Sequence, residues 1–546
     1  MNPPVGESLK AVRESPCTLS GRPIPPLARG LPKTVESVCP ECMRIIPARL
    51  LERDGRVWME KTCPEHGAFE DIYWSHAGLY LKAEEYHYGE GDGLANPNTA
   101  ATSRCPRQCG LCPDHASNTA LGNIDLTNRC DLQCPVCFAN SSAAGRVYEP
   151  TLDQIIGMMR TYRAMRPSPA RAVQFSGGEP TLHPRFLDCL RAARDLGFSY
   201  RQVATNGLRF AREPGFAEAC QEAGLHDVYL QFDGVTDDVY TKTRGRPLLA
   251  EKLRAIDRIM ETDMKIVLVP TIVRGINDHQ VGDLVRLALE RIETIAGLSF
   301  QPVAFTGRID RAERLRQRYT LTDLAHDVAS QAGVGDPEAD WFPLSCVQPF
   351  TRLVAAVRGQ PNVVLSCHPH CSLGTYLFLG TDGRPVPLPQ FFDLKGMLAD
   401  MWRLALRSER SRVKFFPRIR AFLALKRHFR ADRAPAGLTF EAWLHALNGM
   451  IDKKIGRGRA GKKTFRSLLV AGMHFMDRYN YEVDRVRRCV IHYAAPDGRL
   501  YPFCAYNAGP EYRRDVERRF ALAPEAYRAR CHAEAHREAR SHPTSP

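Results

Sequence analysis

The stretch that decides the fold and chemistry of this chain reads Arg129-Cys130-Asp131-Leu132-Gln133-Cys134-Pro135-Val136-Cys137-Phe138. It comes just after a strand-like run at 123–127. Three thiolates this close in sequence can hold one corner of a 4Fe–4S cluster and leave the fourth iron open. Open metal positions bind substrates or cofactors in catalytic sites. The alternatives are a zinc knuckle or buried thiols, but zinc favours paired C-x2-C halves, and the next cysteine is the distant Cys189.

Downstream of Cys137 the sequence alternates between strand-like and helical patterns. The strand-like runs are 172–175, 200–204, 228–232, 266–269 and 298–301, and the helical patterns are 152–165, 185–196, 215–223, 248–261 and 280–295. With the run at 123–127 they form six βα-type units. This alternation predicts an α/β fold with a parallel sheet, open or curled into a partial (β/α)6 barrel of the TIM type. Catalytic groups collect at the carboxyl ends of such strands, where the three cysteines fall.

The next three strand ends carry further polar motifs. They read Ser176-Gly177-Gly178-Glu179-Pro180, Thr205-Asn206-Gly207 and Gln231-Phe232-Asp233-Gly234. Glycines permit tight turns and close backbone approach, and a carboxylate accepts hydrogen bonds from an ammonium group. Each motif alone indicates only a turn, but their order at successive strand ends is specific.

A second metal site is predicted near the N-terminus from Cys39, Cys42, Cys63 and His66. A C-x2-C pair followed about twenty residues later by C-x2-H has the spacing of a single tetrahedral metal site. This predicts a rubredoxin-like or zinc-ribbon knuckle that holds iron or zinc. The alternative for His66 is a surface histidine that binds no metal.

Eight more cysteines are enough for two four-ligand auxiliary clusters. They are Cys105, Cys109, Cys112, Cys346, Cys367, Cys371, Cys489 and Cys504. Their spacing does not show which of them pair, and the alternative is that several are structural thiols. The isolated Cys17, Cys189, Cys220 and Cys531 are expected to be small hydrophobes or free thiols.

The motifs together resemble those of the radical S-adenosylmethionine (SAM) superfamily, including the aromatic Phe138 after the last cysteine. The resemblance implies that the open iron chelates the amino and carboxylate groups of SAM, which is cleaved to a 5′-deoxyadenosyl radical. It also implies that residues 176–180 bind the SAM amino group. Contacts to the ribose and carboxylate are implied for Thr205, Asn206, Gln231 and Asp233.

Segments from Val38 to Asn507, among them CGLCPDH, CHPHCSLGTYLF and PDGRLYPFCAYN, are similar to the group that includes tetraether lipid synthase and dihydropterin methyltransferases. The resemblance implies one radical SAM cluster, two auxiliary clusters and one mononuclear metal. It also implies an external electron donor such as ferredoxin or flavodoxin. No cobalamin-binding domain is expected, since only a Pro-rich leader precedes Val38.

The expected organisation follows the positions of these motifs along 546 residues, too many for one core. The predicted segments are a leader (1–37), the metal knuckle (38–76), a linker with auxiliary-cluster cysteines (77–119), the radical SAM barrel (120–310), an auxiliary-cluster segment (311–400) and a basic helical region with further cluster cysteines (401–546). Eighteen cysteines without a visible signal peptide predict a cytoplasmic protein that binds metal rather than forming disulfides.

The net charge of +14 predicts an anionic partner. Residues 418–429 are basic with interleaved apolar residues, a pattern that fits a helix lying on the inner membrane face. The alternative is a solvated helix that covers the barrel. Nucleic-acid binding is not expected, because no aromatic platform or known module accompanies the charge.

Three functions are consistent with the sequence. The leading hypothesis is hydrogen abstraction from an unactivated carbon followed by carbon–carbon coupling of lipid tails. The second is methylation of a small heterocycle such as a pterin. The third is an iron–sulfur electron carrier, which the SAM-type strand ends disfavour because a carrier needs no open iron.

Overall fold

The computed structural model describes residues 18–100, 105–137, 145–305, 309–411, 415–451, 465–509 and 512–541. Its strands are β1 (Lys33–Val38), β2 (Ile45–Arg53), β3 (Arg56–Cys63), β4 (Gly67–Trp74), β5 (Leu121–Thr127), β6 (Ala172–Gly177), β7 (Tyr200–Thr205), β8 (Asp227–Gln231), β9 (Lys265–Val269), β10 (Thr271–Ile272), β11 (Ile295–Pro302), β12 (Ser372–Leu379), β13 (Pro385–Pro387), β14 (Ser467–Met473), β15 (Ile491–Ala494) and β16 (Leu500–Pro502). Its α-helices are α1 (Ala77–Glu85), α2 (Leu152–Ala164), α3 (Phe186–Asp195), α4 (Leu208–Arg212), α5 (Phe216–Ala223), α6 (Asp237–Arg244), α7 (Leu249–Met260), α8 (Val281–Glu290), α9 (Arg311–Gln317), α10 (Leu321–Ala332), α11 (Gln348–Arg358), α12 (Leu388–Phe391), α13 (Leu394–Arg410), α14 (Phe415–His428), α15 (Phe440–Ile451), α16 (Val483–Arg487), α17 (Phe503–Ala508), α18 (Tyr512–Phe520) and α19 (Pro524–Ser541).

The larger sheet contains a run of parallel strands in the order β14-β11-β9-β8-β7-β6-β5-β15. The six predicted βα units are confirmed as β5 to β9 and β11 with their helices. The sheet is wider than predicted, because β14 and β15 add to its two sides. Both strands come from the region 401–546, which was expected to be helical, and for these two segments that expectation was wrong. Antiparallel β12 and β16 then flank the parallel run.

Helix α2 fixes β5, the strand that leads into the three-cysteine loop, next to β15. A reciprocal capping box between Thr151 and Gln154 starts the helix. The Tyr162 hydroxyl lies 3.0 Å from the Asn123 carbonyl oxygen and 2.6 Å from the His492 carbonyl oxygen, so one side chain bridges both strands. A Cβ at Gly122 would lie 2.7 Å from the Tyr162 ring, so only glycine fits there.

Strands β1 to β4 form a separate antiparallel sheet, the ribbon, which begins before the predicted boundary at Val38. Buried ion pairs tie the ribbon to the rest of the chain. Asp71 of β4 accepts from Arg314 at 3.0 Å and from Arg318, and Arg318 also contacts Asp477 at 2.7 Å. Removing one partner of a buried ion pair lowers the free energy of unfolding by about 3–5 kcal/mol, so this network holds the ribbon firmly against the barrel.

Helix α14 carries the basic segment that was predicted to contact a membrane. Its Leu425 is buried beside α13, whereas Phe416, Ile419 and Leu423 are exposed. Among the described residues, no helix combines the length and apolar character needed to cross a bilayer. Membrane contact of α14 therefore stays a prediction.

Candidate active site and metal centres

The three-cysteine loop, residues 130–137, lies after β5 at the mouth of a cavity of about 800 Å³. Cys130, Cys134 and Cys137 all line this cavity and are half-buried. Burial raises the pKa of the Cys130 thiol to about 12. A buried thiolate group needs compensating positive charge, which an iron–sulfur cluster supplies, so these donors fit a cluster. Phe138 lies outside the described residues.

Gly177, the last residue of β6, and Gly178 let the loop after β6 press against the three-cysteine loop. Gly177 has φ +132°, and a Cβ there would lie 2.2 Å from the Thr127 carbonyl oxygen. A Cβ at Gly178 would lie 2.3 Å from the Arg129 carbonyl oxygen. Both glycines and Ser176 line the cavity. The predicted close backbone approach is therefore present, and only glycine allows it.

Glu179 is buried between the loops that follow β6 and β7 and is not among the residues that line the cavity, so its contact with SAM stays a prediction. Glu179 is 1% exposed, and burial raises its pKa. One carboxylate oxygen accepts from Thr181 and from the Thr205 hydroxyl at 2.7 Å, and the other accepts from the Asn206 backbone N–H at 2.7 Å. Glu179 thus joins the loops after β6 and β7, while its neighbour Pro180 begins a buried turn.

The remaining predicted SAM contacts divide into two groups. Thr205, Asn206 and Gln231 line the cavity. Asp233 is fully buried and accepts from Arg244 at 2.6 and 2.9 Å. Its carboxylate anchors Arg244 rather than facing the cavity.

Sequence reasoning missed two cations that the structure places at this site. Arg244 donates to the Val136 carbonyl oxygen at 3.0 Å, and its charge lowers the pKa of the Cys134 thiol, which burial alone would raise further. Lys252 is fully buried and donates to Gln231 Oε1 at 2.7 Å; burial lowers its pKa to about 8. The sequence did contain a sign of Lys252, because this charged residue interrupts the apolar face of α7 between Leu249 and Ile256.

A second group of thiols lines the same cavity, namely Cys367, Cys371, Cys489 and Cys504. Burial raises the pKa of Cys367, and the charges of Cys371, Cys489 and Cys346 raise it further, so these side chains lie close together. Cys109 lies in an apolar cluster against which Cys105, Cys489 and Cys504 pack. Burial raises the pKa of Cys109, and the nearby Cys112 thiol raises it further, so Cys109 and Cys112 lie close together.

The ribbon brings Cys39, Cys42, Cys63 and His66 together, with their ligand atoms within 4.8 Å of one another. Cys42 Sγ lies 3.9 Å from Cys63 Sγ, and Cys63 Sγ lies 3.5 Å from His66 Nδ1. Tetrahedral zinc with bonds of about 2.3 Å to sulfur separates its ligands by about 3.8 Å. The four side chains therefore fit a single metal ion, and His66 fits as a ligand. Elsewhere, buried His368, His370 and Glu482 also lie within 4.8 Å of one another, a grouping that the sequence spacing did not reveal.

Two family models match the chain. One, described as the HMPTM N-terminal zinc ribbon domain, covers residues 31–75, and the other, the radical SAM superfamily, covers residues 124–288. The chain is also 39% identical over 501 residues to the 7,8-dihydro-6-hydroxymethylpterin dimethyltransferase of Methanocaldococcus jannaschii, a match that covers 91% of this chain and 97% of the relative.

The chain belongs to the radical SAM superfamily. It is an enzyme that uses SAM and a 4Fe–4S cluster, as predicted, and its N-terminal sheet is a zinc ribbon. The chain is also 32% identical over 155 residues to the GTP 3′,8-cyclase of Chlorobaculum tepidum, covering 27% of this chain and 46% of the cyclase. The solved structure of Streptococcus suis SuiB bound to S-adenosylmethionine aligns with 16% identity and a TM-score of 0.32, over 39% of this chain and 47% of that one.

His66→Ala is expected to weaken metal binding by the ribbon of this radical SAM enzyme without abolishing it, because three thiolates remain. Cys63→Ser should weaken metal binding more strongly, because it removes a thiolate whose Sγ lies 3.9 Å from Cys42 Sγ and 3.5 Å from His66 Nδ1. Zinc and iron are measured by elemental analysis after dialysis against a chelator. Glu65→Ala, beside the site and paired with Arg44, is the control that should keep the metal. Full retention in Cys63→Ser would contradict the site.

Proposed function

We propose that this enzyme is a radical SAM methyltransferase that acts on a reduced pterin. The observation that carries the proposal is the 39% identity with the archaeal 7,8-dihydro-6-hydroxymethylpterin dimethyltransferase across nearly its whole length. The comparisons thus favour the second hypothesis from the sequence over the leading one. Coupling of lipid tails has no support among them.

The lining of the cavity is mostly apolar with a few polar side chains, a composition that suits a small heterocycle. A volume of about 800 Å³ lies within the range of small-molecule sites and is large enough for a cofactor with a compact substrate. Side chains of Gln174 and Gln202 line it. Packing an alkyl chain against these amides would leave their polar atoms without partners, which is unfavourable.

The proposed roles of the residues follow from their positions. Cys130, Cys134 and Cys137 would hold the cluster, and the backbone at Gly178 with Thr205, Asn206 and Gln231 would hold SAM. When bound, cluster and SAM would together supply a 5′-deoxyadenosyl radical that abstracts a hydrogen atom from the substrate. A second SAM molecule would donate the methyl group to the resulting substrate carbon, and the external electron donor would supply one electron for SAM cleavage and one for this methyl transfer. Arg244 orients the three-cysteine loop and places positive charge beside Cys134. Lys252 fixes Gln231 at the cavity edge.

We also propose two auxiliary 4Fe–4S clusters and an external ferredoxin or flavodoxin as electron donor. Cys105, Cys109 and Cys112 would supply one cluster, and Cys346, Cys367 and Cys371 the other. Cys489 lies close to Cys367, Cys371 and Cys504, and both Cys489 and Cys504 pack against the apolar cluster that contains Cys109, so these two thiols would provide the fourth ligands. Thiolates buried this closely in one protein need such metal charge to remain ionised.

With the radical SAM cluster and both auxiliary clusters present, we expect about twelve cluster irons per chain, four per cluster. Replacing Cys105, Cys109 and Cys112 together by alanine should remove about four of these irons and leave the others in place. Iron and sulfide are assayed after anaerobic purification, with Mössbauer spectra to separate the sites. A wild-type total near four irons would contradict both auxiliary clusters.

The reaction is tested by expressing the gene in a bacterial host and analysing pterins and lipids by mass spectrometry. The expected product is a pterin that carries one or more additional methyl groups. In a second assay, deuterated 6-hydroxymethyl-7,8-dihydropterin should transfer deuterium to 5′-deoxyadenosine. An unchanged pterin pool together with new long-chain diacids or tetraethers would instead support lipid coupling.

A further inference from the structure

Three carboxamide side chains form one layer across the inside of the barrel. Asn123 of β5 is in register with Gln174 of β6, which is in register with Gln202 of β7. All three line the cavity and are at most 8% exposed. The interior of such barrels is usually filled by branched apolar side chains, so a polar layer at this depth is unusual. We call Asn123, Gln174 and Gln202 the amide floor.

The amide floor has hydrogen-bonding capacity that the described residues do not use. Neither amide atom of buried Asn123 has a well-aligned hydrogen-bond partner among the described residues, although the Tyr493 hydroxyl lies close enough for a weak hydrogen bond with this side chain. The opposite wall differs, because Gln301 donates to Tyr229 at 3.2 Å and Tyr229 donates to Ser299 at 2.6 Å. Buried amides without well-aligned partners are costly, and such a group beside a cavity calls for an explanation, such as a polar ligand that binds there.

We propose that the amide floor binds the 2-amino-4-oxopyrimidine edge of the pterin and determines substrate specificity. This inference rests on the proposed function. A carboxamide offers a donor and an acceptor side by side, the complement of a ring N–H next to a carbonyl or of an amino group next to a ring nitrogen. Asn and Gln read the edges of nucleobases in the same bidentate way.

The position of the amide floor also orients the substrate. Gln174 lies three residues before Gly177 and Gln202 three residues before Thr205, so the floor is about 10 Å below the SAM-binding strand ends at about 3.3 Å per residue. A pterin whose pyrimidine edge rests on the floor directs its opposite, pyrazine ring toward the three-cysteine loop. That ring carries the carbons from which hydrogen would be abstracted.

The test measures binding of 6-hydroxymethyl-7,8-dihydropterin to the anaerobically purified full chain in the presence of SAM, by calorimetry. Asn123→Leu, Gln174→Met and Gln202→Met keep the side-chain size and remove the amide. Each should weaken binding by about tenfold or more, because one or two hydrogen bonds to the ligand are lost. Gln202→Glu, which keeps an acceptor but loses the donor, should also weaken binding.

Thermal stability separates this role from a structural one. The temperature at the midpoint of thermal unfolding of Asn123→Leu should equal or exceed that of the wild type, because a buried amide without a well-aligned partner is removed. Gln348→Met is the matched control: Gln348 is fully buried outside the cavity and donates to Gly89, so its loss should leave pterin affinity unchanged. Wild-type affinity in all amide-floor variants would overturn the inference and leave the proposed function standing. No pterin binding by the wild type would overturn both.

Discussion

Simultaneous replacement of Cys130, Cys134 and Cys137 by alanine is expected to abolish reductive cleavage of SAM. These thiols line the cavity beside Gly178 and Asn206, and they are the ones whose spacing leaves an iron open for SAM. The measurement is 5′-deoxyadenosine released after reduction with dithionite, quantified by chromatography. The auxiliary iron should remain, because its proposed ligands lie in other segments of the chain.

The matched control for this variant is the double substitution Cys189→Ala and Cys220→Ala. Both thiols are buried in the apolar core, on α3 and α5, and stand apart from the cavity lining. Their loss should leave SAM cleavage close to that of the wild type. A triple variant that still releases 5′-deoxyadenosine at the wild-type rate would refute the assignment of the cluster.

Asp233→Leu is expected to destabilise the protein by about 3–5 kcal/mol, because it leaves the buried guanidinium of Arg244 without its carboxylate. Asp233 accepts two hydrogen bonds from Arg244 and one from the Thr271 backbone N–H at 3.0 Å. Arg244 in turn holds the Val136 carbonyl oxygen between two cluster cysteines. SAM cleavage should therefore fall together with the thermal midpoint.

The double variant Asp233→Leu with Arg244→Leu separates the two effects. Removing both charges should restore much of the lost stability, since no unpaired buried charge remains. SAM cleavage should stay low, because the contact to Val136 is still missing. A single Asp233→Leu variant with the wild-type midpoint and wild-type cleavage would show that the ion pair has neither role.

Much of the barrel could be predicted because its signals are local. Alternating strand and helix periods located six βα units, and Gly177 and Gly178 marked a turn that only glycine can make. Strands β14 and β15 were missed, because a short apolar run reads equally well as a strand or as part of a buried helix. Their pairing with β11 and β5 depends on contacts between segments far apart in sequence.

The partners of the polar side chains could not be predicted for the same reason. The resemblance assigned Glu179 and Asp233 to SAM contacts, and the structure adds that their carboxylates also accept from Thr205, Asn206 and Arg244, which no motif indicated. The ribbon shows the opposite case, since its four ligands are close in sequence and their spacing already located the site. The choice between a lipid and a pterin substrate was also open, and the preference for the pterin came from the relative of nearly equal length.

By itself, the sequence determined the chemistry: three closely spaced cysteines and the polar strand ends predicted a radical SAM enzyme, because ligand spacing and strand period are local properties. Only the tertiary structure decided which buried charges are paired, which thiols share a cavity, and that Asn123, Gln174 and Gln202 form one layer. These residues are neighbours through strand register, and register is set by packing across the whole sheet rather than by any one segment.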